Sequence, residues 1–130
     1  MDARERLRDL SDRLLRLHKT LLDRERGVYE EQHGAVLPAD LFRLVLHDDQ
    51  FAWLRVLSGM IAEIDELVDT DEPVGHERAQ SVFGKAHRLL RAGDPGHFQD
   101  KYRAALQESP DVVMAHARVS RVLPLPPDRA

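Results

Sequence analysis

The chain has 130 residues, 42% hydrophobic and 32% charged, with a net charge of −4 at neutral pH and no cysteine. That length suits one domain with a core of its own, and the missing cysteine excludes disulfide frameworks, thiolate metal sites and cysteine nucleophiles. No apolar run approaches the roughly 20 residues that span a bilayer, and the opening Met1-Asp2-Ala3-Arg4-Glu5-Arg6 is charged with no apolar stretch behind it, so a cytoplasmic protein without membrane contact is expected.

Leu7, Leu10, Leu14, Leu17, Leu21 and Val28 follow a three-four rhythm, broken where Arg24 takes the apolar place. Strong helix formers fill the gaps, which predicts one helix over residues 3–33, closed by Gly34 as a left-handed cap. At 1.5 Å per residue it would be roughly 45 Å long.

A second helix opens at Pro38 with Asp40 close behind and continues to about residue 69. Its centre, His47-Asp48-Asp49-Gln50-Phe51-Ala52-Trp53-Leu54-Arg55, holds the only Trp of the chain. Trp53, Leu57, Met60, Ile64 and Leu67 then form one apolar stripe. Asp48 is able to cap a renewed helix, but no Gly or Pro forces a break, so a kink at His47-Asp48 is expected. The short connection makes the two helices an antiparallel hairpin, in which facing residue numbers sum to about 70.

Ala79, Val82, Phe83, Ala86, Leu89 and Leu90 mark a third helix ending at Gly93. Asp94-Pro95 starts another carrying Phe98, Tyr102, Ala105 and Leu106, and Ser109-Pro110-Asp111 repeats that start signal. Val112, Ala115, Val119, Val122 and Leu123 form the last stripe, and Pro124-Leu125-Pro126-Pro127 cannot continue it. The expected fold is all-α: a four- or five-helix bundle built on the long antiparallel N-terminal hairpin. It is one domain over residues 1–123 with a Pro-rich extended tail over 124–130.

Charge is unevenly placed. Residues 40–72 carry nine acidic groups against Arg43 and Arg55, whereas residues 73–130 carry nine basic groups against six acidic ones. Packing of the two halves on each other is the simplest expectation. Nucleic acid is not expected, because aromatic residues are sparse among Lys85, Arg88, Arg91, Lys101, Arg103, Arg118 and Arg121, and the net charge repels phosphate backbones. Arginine far outnumbers lysine and asparagine is absent, as GC-rich bacterial coding would produce.

No Gly-x-Ser-x-Gly elbow, phosphate loop or dinucleotide fingerprint occurs, so no catalytic residue is proposed. Beside the leucine stripe runs a second line, Leu15, His18, Leu22, Glu25 and Tyr29, which the hairpin register brings toward His47 and Trp53. Two readings follow. Glu25 and His47 form a structural hydrogen bond, or His18, Glu25 and His47 ligate a transition metal between helices, as inward-facing carboxylates and histidines do in bundle metal sites. Haem held by His18, His47 or His116 is a related alternative. His76, His87 and His97 are assigned to solvent. Gly59, mid-helix, suggests a close approach by another helix, and Asp65, among Ile61, Ile64 and Val68, calls for an arginine from the first helix. Tyr29, Trp53 and Arg55 are structural or interaction residues.

The functional expectation is a cofactor-free, non-enzymatic protein that forms a homodimer or binds a helical protein partner, the long leucine-striped first helix having more length than later helices cover. The alternative is a metal- or haem-binding bundle.

Overall fold

A computed structural model describes residues 2–91 and 93–123. Among them every regular element is helical: α1 (Ala3–His33), α2 (Pro38–His47), a single 3₁₀ turn (Asp49–Phe51), α3 (Leu54–Val68), α4 (His76–Leu90), α5 (His97–Glu108) and α6 (Pro110–Ser120). The Pro-rich segment 124–130 lies outside the described residues. No described helix is long and apolar enough to cross a membrane.

α1 forms where the leucine rhythm predicts it. The Asp2 carboxylate accepts the Glu5 backbone N–H at 2.8 Å, satisfying one of the orphan donors of the first turn. Gly34 ends the helix at φ 84° and ψ 175°, a region essentially reserved for glycine although not the left-handed helical cap expected. Leu7, Leu10, Leu14, Leu17 and Leu21 are all buried. Because a helix turns every 3.6 residues, the next buried position is Glu25 rather than Arg24. Arg24 turns aside to pair with Glu108, and Val28 is partly exposed.

The expected long second helix is two helices, and the expected kink is a break. Asp48 leaves the helical region (φ −84°, ψ 137°), and its carboxylate accepts the Gln50 N–H at 2.8 Å. A short carboxylate that bonds its own backbone competes with the helix ladder, so an Asp pair terminates a helix without help from Gly or Pro. The 3₁₀ turn then carries Phe51 into the core, and α3 restarts at Leu54. The split raises the helix count to six. It also shifts the register: Ser11 meets Asp65 and Glu25 meets Trp53, so α3 is offset by roughly six to eight residues from where a continuous helix would set it.

α1 is the central element, flanked by α3 on one side and α6 on the other, with α4 and α5 completing the core. The loop after α1 is clamped by its last turns, since Val36 donates its N–H to Glu30 and accepts from Arg26 at its carbonyl. The complementary charges of the two halves meet, among the described residues, only where Lys85 pairs with Glu63. Arg8 donates to the Val68 carbonyl at the end of α3 and Arg4 to the Glu72 carbonyl in the loop that follows, so both reach backbone rather than carboxylates.

Candidate functional site

The polar centre lies where α1, the 3₁₀ turn and the start of α3 converge. Glu25 is 4% exposed. Its Oε1 accepts the Trp53 indole N–H at 3.2 Å, and its Oε2 accepts the Gln50 side-chain amide at 2.9 Å. The Arg24 guanidinium lies 3.9 Å from Oε1. A buried carboxylate without partners would cost several kcal/mol, so these contacts are what permits Glu25 to occupy a core position.

His47 is not Glu25's partner. It ends α2 and is exposed, and the register shift substitutes Gln50 and Trp53. The break at Asp48 is the cause, because it turns the segment after His47 back toward α1. Gln50 was the residue overlooked. Its only sequence signal is its place two residues beyond a capping aspartate, where a 3₁₀ turn projects it inward.

Trp53 continues the centre into an aromatic file. Its ring meets Phe98 at 5.4 Å between centroids, Phe98 stacks on Tyr102 at 5.5 Å, and Tyr102 meets His116 at 5.6 Å. The Tyr102 hydroxyl lies 2.6 Å from His116 Nδ1. Burial, and then the nearby positive charge of Arg91, lower the His116 pKa from its ordinary 6.5, while burial pushes the Tyr102 phenol above its ordinary range. Both shifts favour neutral partners, a phenol and an uncharged imidazole, and the imidazole tautomer sets which of them donates. Sequence periodicity places Tyr102 on a buried face but does not show its pairing with His116 across α5 and α6.

His18 sits on the flank of α1 facing α3. Its Nε2 is buried and has no hydrogen-bond partner among the described residues, and burial lowers its pKa from 6.5. His87 was assigned to solvent, yet its Nδ1 is also buried without a partner. His76 and His97 are exposed as expected. Among the described residues no group of three His, Asp or Glu side chains is placed to hold a metal, so His18, Glu25 and His47 are not gathered into one ligand set.

The remaining singled-out residues have structural surroundings. Tyr29 stacks on His33 at 4.1 Å and touches the Phe51 ring. Arg55 donates to the carbonyls of Val45 and Asp48, binding the end of α2 to α3. Asp65 accepts from the Ser11 hydroxyl at 2.8 Å, so its partner from α1 is a serine and not the expected arginine. Gly59 is exposed, and a Cβ there would meet nothing within 4 Å, so no neighbouring helix requires it. With both Glu25 oxygens engaged and His116 bonded to Tyr102, the centre acts as a cross-brace between elements. Comparison with protein-family models, with curated proteins and with solved structures found no match.

Proposed function

We propose that the protein is a non-enzymatic association module that forms a homodimer through α2. The leucine stripe of α1 from Leu7 to Leu21, the surface first expected to pair, is consumed inside the molecule, although Leu15 beside it stays exposed. An apolar surface left open is that of α2, which contains no buried residue. Leu41, Leu44 and Val45 pack partly against the core, whereas Leu37, Phe42 and Leu46 are 69%, 65% and 47% exposed. Placed at 3.6 residues per turn, the apolar arc of this helix covers roughly 220°, far more than its one packed side needs. That excess is the observation that carries the reading.

A second copy of the chain is the occupant the charge pattern favours. Asp40 and Arg43 lie on the far side of α2 and pair with each other, so the helix is neutral when His47 is uncharged. Two such faces meet across a two-fold axis without like-charge repulsion, and the same residues serve both sides. The Arg55 bonds hold α2 in place beforehand, which lowers the ordering cost of pairing.

Sedimentation and light scattering over a wide concentration range test this. The expected result is a concentration-dependent dimer that the combined Phe42→Glu and Leu46→Glu variant converts to a monomer with unchanged helicity. A monomer at every concentration, or a variant as dimeric as the parent, would overturn it.

A further inference from the structure

Away from α2, the surface between α1 and α6 gathers arginines. Arg13 and Arg16 on α1 and Arg118 and Arg121 at the end of α6 line an open cleft of about 390 Å³, together with Asp9 and Asp12. Four guanidinium groups against two carboxylates leave the cleft at +2 in a chain whose total charge is −4. Concentrating like charge in this way costs free energy unless something of opposite sign offsets it.

The arginines have different roles. Arg13 is braced, its Nε donating to Asp9 at 2.9 Å and its Nη1 to the Arg118 carbonyl at 2.7 Å, so it ties α1 to α6 along the cleft. Arg16, Arg118 and Arg121 are exposed and make no ion pair among the described residues. Arg118 and Arg121 suit the carbonyl end of α6, where positive charge is favourable. Arg16, in the middle of α1, gains nothing of that kind, and it is Arg16 that makes the cleft a cluster.

We propose that this cleft binds a small phosphate monoester. Such a group carries nearly two negative charges at neutral pH and three terminal oxygens. The charge matches the excess of the cleft, and the oxygens match the three arginines that have no carboxylate partner. Arginine suits the task because its planar fork bonds phosphate oxygens in pairs, and the braced Arg13 keeps the two helices at a fixed spacing. Asp12, the carboxylate without an arginine of its own among the described residues, opposes the ligand and sets a ceiling on affinity.

The probe is inorganic phosphate, titrated into the full chain at neutral pH and followed by calorimetry and by arginine side-chain resonances, with sodium chloride at matched ionic strength as the control. Saturable binding is expected, weakened roughly tenfold or more when Arg118→Ala and Arg121→Ala are combined. Asp12→Asn is expected to tighten it, a gain that misfolding would not produce. A phosphate response equal to that of chloride, or equal affinities in the parent and the arginine variant, would overturn the proposal. None of these outcomes depends on the α2 pairing, which Phe42→Glu removes separately.

Discussion

Glu25 illustrates how one side chain can set the geometry of a junction. A carboxylate offers an acceptor on each oxygen, and here one serves the Trp53 indole and the other the Gln50 amide. Glutamine has nearly the same shape but one acceptor, so Glu25→Gln turns an NH₂ toward one of two buried donors. The expected loss is about 1–3 kcal/mol of stability, read by urea denaturation with Trp53 fluorescence as probe. A loss too small to measure would show that the junction stands without the double acceptance. The half-buried histidines act in the opposite sense, through pH. Burial lowers the folded-state pKa of His18 and His116 below 6.5, so the unfolded chain takes up those protons first as pH falls. The stability linked to their neutral forms is complete above pH 6.5 and declines as pH drops through 6.5 toward the folded values. Thermal midpoints measured on either side of that value are therefore expected to fall toward acid, and His18→Leu is expected to flatten the slope while keeping or raising stability, because it removes a buried nitrogen with no partner. A variant with the parent's full acid sensitivity would show that His18 is not a source of it.

At the level of elements, α1 was legible because its signals agree: a leucine period interrupted only at Arg24, strong helix formers between the leucines and a terminal glycine. The segment from Pro38 to Val68 was not, because its period continues across a break made by side-chain capping, and capping by Asp48 leaves no mark on hydrophobic spacing. That single miss propagated. It shifted the facing register, gave Glu25 the wrong partner in His47, and hid that α2 stands apart with its outer face open. The kind of contact was readable, a buried Glu25 bonded across helices, while its address was not. The separation of α2 also has a measurable signature. Arg55 supplies two of the bonds that hold its end, so Arg55→Ala is expected to speed amide hydrogen exchange in α2 by roughly tenfold, equivalent to ~1.4 kcal/mol. Exchange in α1 and α3 should stay near the parent rate. Equal acceleration throughout would mean that α2 opens only with the whole molecule.

For the molecule as a whole, the governing feature is that α1 serves as the common wall for both α3 and α6. One of its residues, Arg13, bonds a carbonyl 105 positions away. During synthesis a chain grows at about 5–20 residues per second, so α1 waits roughly 5 to 20 s for the helix that covers its second flank. Over that interval the flank of α1 that α6 will cover stays open to whatever is nearby, including nascent copies on the same message. A chaperone that shields growing chains therefore has its target in that half-covered leucine helix until α6 emerges.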